Sequence, residues 1–233
     1  VQPFEIHFPG DTSVPILFDS PHSGRSYPPD FGASAPLADL RRGEDAFVDE
    51  LLLGAASLGI TLLLATYPRC YLDLNREADD IDPGMLEGAW PTPLSPTEKS
   101  ERGLGLIRRL VVPGVPIYGR LLSVEEVQRR IEDVYLPYHA ALRDLRARLL
   151  ERHGTLWHIN WHSMKSVGNA MTPDGDGAPR PDFVVGDLHG RSADPEVTRR
   201  VAGLLEDLGY KVTVNVPYAG GMILREMGDP VGR

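Results

Sequence analysis

The feature that most limits the fold of this chain is an alternation of two periods. Short apolar runs at 14–19, 60–65, 156–162 and 211–216 read as strands, and the stretches between several of them carry helical spacing and helix-end chemistry. Two of the runs open into loops built from turn residues, Pro21 to Gly24 in one case and Pro217 to Gly221 in the other. Strands alternating with helices favour an α/β sheet covered on both faces, with a site formed by the loops at the strand ends.

The intervening segments supply the helices. Apolar residues at 47, 48, 51, 52, 55 and 58 oppose acidic ones, which predicts one amphipathic helix over 37–58 closed by Gly59. Ser123 and Glu126 form a capping box for a helix reaching Arg152 before Gly154, and Pro137 should kink or divide it near Tyr135. Asp194 and Pro195 provide the N-cap and first turn of a helix ending at Gly209. Between 75 and 120 patterned pieces are confined to 95–102 and 106–112, so this stretch is expected to be a long loop excursion over a site. The expectation is a single domain over 1–233.

Composition narrows the functional classes. With 24 basic against 33 acidic side chains the formal charge is −9, which argues against a nucleic-acid partner. The uncharged stretch 51–68 contains Gly54, Ser57, Gly59 and Thr61 and divides into a helix end and a strand, so no membrane span is expected. The single cysteine, Cys70, forms no intrachain disulfide, and no basic segment followed by an apolar one opens the chain; a cytoplasmic setting is expected.

Few residues could carry chemistry. His22 follows a strand in a loop whose Pro21 and Gly24 let the imidazole be exposed, either as a metal ligand or as an incidental loop histidine. Of Glu44 and Asp45, adjacent on the expected helix and so about 100° apart, one at most faces the site. His158 and His162 lie four apart on a strand, roughly 13 Å, too far to share one ion; His162, at the carboxyl end, is the better ligand and His158 the better core residue. Asn75 and Arg76 offer an amide and a guanidinium fork suited to a substrate carboxylate, unless Arg76 pairs with Asp73. No G-x-G-x-x-G or Walker A pattern supports phosphate binding.

Taken together, Ser20-Pro21-His22-Ser23-Gly24, Asp45, Asp73-Leu74-Asn75-Arg76, Pro137-Tyr138-His139, His162-Ser163-Met164, Gly186-Asp187 and 215–221 resemble, in order, the N-formylglutamate amidohydrolase family, related to zinc carboxypeptidases and the succinylglutamate desuccinylase group. The resemblance implies a three-layer α/β/α fold with a central mixed sheet, zinc carboxypeptidase-like, and one Zn²⁺ held by His22, Asp45 and His162. It also implies a carboxylate grip by Asn75 and Arg76, a pocket lined by Tyr218 and Gly221, and a second anion contact at Arg225. Asn160 stands where many members carry Asp, and the glutamate general base is expected on a strand beyond residue 233, Glu226 not matching its motif. The implied reaction is zinc-dependent hydrolysis of a small anionic N-acyl amino acid, foremost N-formyl-L-glutamate to formate and L-glutamate in histidine catabolism. The competing readings are another acyl-amino-acid deacylase or carboxypeptidase-like hydrolase, and a non-catalytic metal and carboxylate binder.

Overall fold

The structure, a computed structural model, describes residues 1–10 and 12–229. The last four residues lie outside the described residues, and the strand expected beyond residue 233 lies outside this sequence. The chain divides into two compact units, 1–163 and 164–233.

The first unit is built on a four-stranded mixed sheet in the order β1-β3-β2-β6. β2 (Ile16–Ser20) runs parallel to both β3 (Thr61–Ala65) and β6 (Trp157–Asn160), and β1 (Phe4–His7) closes one edge antiparallel to β3. β3 is buried at all five positions, as expected of a strand covered on both faces. On one face Ile16, Phe18, Leu62 and Leu64 meet Val48 and Leu52. On the other, Asp19 receives the hydroxyl of Tyr138 from a later helix, so the two faces of β2 serve different partners.

The expected single helix over 37–58 is not formed. Instead α1 (Leu37–Leu40) and a 3₁₀ turn (Arg41–Gly43) are followed by an extended break, then α2 (Val48–Leu52) and a second 3₁₀ stretch (Leu53–Leu58), with Gly59 in the left-handed region at φ 92°. The break occurs because the backbone N–H of Asp45 donates to the His22 carbonyl at 3.1 Å, and Phe47 takes φ 64° to restart the helix. Periodicity misled because the apolar positions are not one face: Leu51 is 80% and Leu58 72% exposed, whereas Val48 and Leu52 are buried.

The segment after β3 folds over the carboxyl edge of the sheet through short pieces, including the two-stranded β4 (Leu86–Glu87) and β5 (Leu122–Ser123) and the one-turn α3 (Glu98–Glu101). It buries Ile81, Leu106, Ile107 and Ile117 almost completely. Ser123 caps α4 (Val124–Arg130) by accepting from the Glu126 N–H at 3.1 Å. A π-helical turn (Ile131–Tyr135) then joins α4 to α5 (Leu136–His153), which carries Pro137 in its first turn and ends at left-handed Gly154. The π turn relieves the backbone where proline offers no N–H.

A buried cation ties this segment together. Arg130, 2% exposed, donates to the Tyr71 and Phe31 carbonyls at 3.0 and 3.1 Å, to the Tyr118 hydroxyl at 2.6 Å and to Glu126 at 2.5 Å. Its guanidinium carbon lies 4.2 Å from the centroid of the Tyr71 ring.

The second unit contains the parallel pair β7 (Phe183–Val185) and β8 (Val212–Val214), joined by α6 (Pro195–Asp207), and ends in α7 (Met222–Met227). Asp194 accepts from the Glu196 N–H at 2.8 Å as the N-cap of α6, and Gly209 follows at φ 91°, as the sequence predicts.

Candidate metal centre

Three loops at the carboxyl edge of the sheet bring together His22, Asp45 and His162. His22 lies two residues beyond β2 and His162 two beyond β6, and these strands are parallel neighbours in register. The 20–24 loop passes so close to the 66–67 backbone that a Cβ at Gly24 would overlap the Tyr67 carbonyl, which is why glycine stands there. Asp45 arrives from the helix break, not from a helix as expected, and the break brings its carboxylate to both imidazoles. His22 and Asp45 are buried and His162 is one-third exposed.

One donor atom from each of the three residues lies within 4.8 Å of the others. The His22 and His162 Nδ1 atoms are 3.1 Å apart, and Asp45 Oδ2 is 2.8 Å from His162 Nδ1 and 3.6 Å from His22 Nδ1. Two nitrogens on one tetrahedral ion at about 2.05 Å would be separated by about 3.3 Å. The group could therefore hold a metal ion.

The surrounding bonds fix which lone pairs face inward. His22 Nε2 is 2.7 Å from Asp73 Oδ1, and a carboxylate only accepts, so Nε2 carries the proton and Nδ1 is a lone pair. His162 Nε2 is 2.7 Å from Asn160 Oδ1; the Asn160 amide nitrogen is committed to both oxygens of Asp19 at 3.0 and 2.9 Å. Asn160 thus presents its oxygen to His162 Nε2, which the Asn75 amide nitrogen also approaches at 3.2 Å, and His162 Nδ1 faces inward, 2.8 Å from Asp45. Two imidazole nitrogens and a carboxylate oxygen thus converge as a donor set that a divalent cation could satisfy, and the bonds behind them are of the kind that orient metal ligands.

Electrostatics agree. Burial opposes ionisation of Asp45, but the adjoining His162 and His22 imidazoles and the Arg69 charge hold its carboxyl far below the usual range. Burial, and then the Arg69 charge, keep His22 below its ordinary value and so neutral, outweighing Asp73 and Asp45. Asp73 is also burdened by burial yet held well below the usual range by Arg69 and His22. Arg69 donates to Asp73 Oδ2 from Nε at 3.1 Å and Nη2 at 2.7 Å, and approaches Asp45 at 3.6 Å.

The remaining expected residues fall into two groups. Asn75 belongs to the centre, its amide 3.2 Å from His162 Nε2 and 3.4 Å from Asn160 Oδ1. Arg76 donates to the carbonyls of Leu104 at 2.8 Å and Asn75 at 2.9 Å, and it is Arg69, not Arg76, that pairs with Asp73. Tyr218, Gly221 and Arg225 belong to the second unit: the Arg180 guanidinium lies over the Tyr218 ring at 5.2 Å, and Gly221 accepts from the Arg225 N–H at the start of α7. His158 is a buried-network residue as expected, donating to Asp19 at 2.7 Å.

Sequence reasoning missed Asp19, Arg69 and the orienting role of Asp73. The available signal was an aspartate at the end of a fully apolar strand, since a buried carboxylate must be paired.

The family model for N-formylglutamate amidohydrolase matches residues 14–233. The N-formylglutamate deformylases of Pseudomonas putida and Pseudomonas aeruginosa are each 30% identical, the match spanning 93% of this chain and 76% of theirs. A crystal structure of N-formylglutamate amidohydrolase from Ralstonia eutropha JMP134 superposes with TM-score 0.91 at 43% identity, over 99% of this chain and 82% of that one. A gene product of Agrobacterium tumefaciens, at 15% identity and TM-score 0.58 over 94% of this chain and 75% of its own, shares the fold. With a model matching nearly the whole chain and relatives aligned along most of their length, the chain belongs to the N-formylglutamate amidohydrolase family.

Proposed function

We propose that this protein hydrolyses the amide bond of N-formyl-L-glutamate, giving formate and L-glutamate, with one Zn²⁺ held by His22, Asp45 and His162. The observation that carries the reading is the convergence of two Nδ1 atoms and a carboxylate oxygen, each imidazole held from behind at Nε2. Two histidines and a carboxylate are the ligand set of a hydrolytic zinc site that keeps a position open. Zinc supplies Lewis acidity there, polarising a carbonyl and acidifying water at neutral pH.

The chain's own residues provide the rest. Asp73 and Asn160 hold the imidazoles at fixed angles, so the ligands need no reorganisation on loading. Arg76 and Asn75 would hold a substrate carboxylate and place the formyl carbon at the centre. Tyr218, Gly221 and Arg225 are proposed to line the substrate pocket, and the proton transfer is assigned to the glutamate that the family resemblance places beyond residue 233. The same reading includes the three-layer α/β/α, zinc carboxypeptidase-like arrangement and a role in cytoplasmic histidine catabolism. Supporting facts are the names of the relatives and, for the setting, that no helix among the described residues is long and apolar enough to cross a membrane.

The test is formate release from N-formyl-L-glutamate by zinc-loaded protein, beside His22→Ala and His162→Ala. Turnover that needs both histidines and zinc supports the proposal. Zinc binding unaffected by both replacements, or no formate from a zinc-loaded protein, overturns it.

A further inference from the structure

Behind the Asp73 to Arg76 turn lies a cation that the proposed mechanism does not use. Arg108 is 7% exposed; its Nη2 reaches the Val111 carbonyl at a long 3.5 Å, and its Nε is buried without a hydrogen-bond partner. Among the described residues no ion pair holds it. Its segment is laced to the site: the Leu106 carbonyl accepts from the Asp73 N–H at 2.9 Å, the Leu104 carbonyl accepts from Arg76 Nε at 2.8 Å, and Leu104 bridges the backbone of Arg108.

Buried guanidiniums are ordinarily forked onto a carboxylate, and a buried donor without one calls for an explanation. Here the charged neighbours are chiefly of like sign. Burial, then the Arg69 and Arg76 charges, push Arg108 down to about 9, opposed by Asp73, so at neutral pH it still carries its proton. Arg69 spends its charge on Asp73. An anion entering beside Arg108 would satisfy the orphaned Nε–H and relieve the repulsion, whereas a neutral acceptor could take the bond but would leave the repulsion in place.

We propose that Arg108 is a specificity residue, receiving the side-chain carboxylate of a dicarboxylic N-formyl amino acid while Asn75 and Arg76 take the α-carboxylate. This rests on the function proposed above and adds what selects glutamate from neutral N-formyl amino acids. A charge-assisted bond to a buried guanidinium is worth tenfold or more in binding.

The experiment compares Arg108→Met and Arg108→Lys with the unmodified protein on N-formyl-L-glutamate and its neutral isostere N-formyl-L-glutamine. The expected result is a KM for N-formyl-L-glutamate raised at least tenfold in Arg108→Met, kcat held within threefold, kcat/KM for N-formyl-L-glutamine within threefold, and an intermediate KM in Arg108→Lys. Equal losses on both substrates, or an unchanged KM for N-formyl-L-glutamate, would make Arg108 a structural strut and overturn the proposal. A second reading needs no turnover: glutarate should raise the melting temperature of the unmodified protein and not that of Arg108→Met. If no formate is released from either substrate the function above fails, and the glutarate shift then decides the role of Arg108: present and lost in Arg108→Met supports it, and any other pattern overturns it. If Arg108→Met does not fold, Arg108→Lys carries the same comparisons.

Discussion

Replacing Asp73 by asparagine changes one atom and tests the logic of the whole centre. Asp73 Oδ1 accepts from His22 Nε2 at 2.7 Å and from the Asn75 N–H at 3.1 Å, while Oδ2 takes the Arg69 fork at 3.1 and 2.7 Å. An amide has one oxygen to offer. If its nitrogen turns to His22, the imidazole must accept at Nε2, which moves the proton to Nδ1 and blocks the inward lone pair. If it turns to Arg69, a buried cation loses its acceptor, at about 1–3 kcal/mol of stability. Loss of such an orienting partner weakens metal affinity by about 10- to 100-fold, or about 1.4–2.7 kcal/mol. Zinc competition against a chelating dye measures the affinity directly, with His22→Ala as the reference for complete loss. Arg69→Met is the control, since it removes the cation but keeps the bond between His22 and Asp73. Zinc affinity in Asp73→Asn within twofold of the unmodified protein, with His22→Ala much weaker, would refute the argument that this bond sets the tautomer.

Two further outcomes concern the Arg130 cage. Arg130→Ala leaves the Tyr71 and Phe31 carbonyls and the Tyr118 hydroxyl without their donor and should cost about 3–5 kcal/mol in urea unfolding; a loss under 1 kcal/mol would show the cage to be dispensable. Burial raises the Glu126 carboxyl, but bonds to Arg120 and the Arg130 charge outweigh it, so its folded pKa lies below the unfolded one. Its contribution is therefore complete above the unfolded pKa near 4.5 and is lost as pH falls through the folded value. Glu126→Gln should lower stability at neutral pH, and the gap to the unmodified protein should narrow below pH 4; a gap that widens on acidification would contradict the sign.

What could be read from the sequence was chemistry confined to a few neighbouring residues. Ser123 with Glu126, Asp194 with Pro195, and the glycines at 154 and 209 act within a turn, and all four appear where expected. β3 was legible because burial on both faces demands an apolar run, whereas β1, β4, β5 and β7 carry no comparable run and went unread. The helix over 37–58 was not, since the reason for its interruption lies in His22, more than twenty residues earlier in the chain. The candidate ligand set came from ordered motifs, but spacing alone could not show that Asp73 serves His22 and Arg69 rather than Arg76. Nor could it show that Asn160 is oriented by Asp19, its neighbour across the β2 and β6 pairing.

The π turn at Ile131–Tyr135 sets the timing of a long rod. One residue is worth about 100° of rotation, so an extra residue in that turn re-phases everything after it relative to everything before. Upstream, Arg130 must face the aromatic cage; downstream, Tyr138 must face Asp19 and His139 the Leu74 carbonyl. The turn works as a gear between two surfaces that an unbroken α-helix could not address together. Shortening 131–135 by one residue would force a choice between the cage and the sheet, so this is where the chain should tolerate substitutions far better than changes of length.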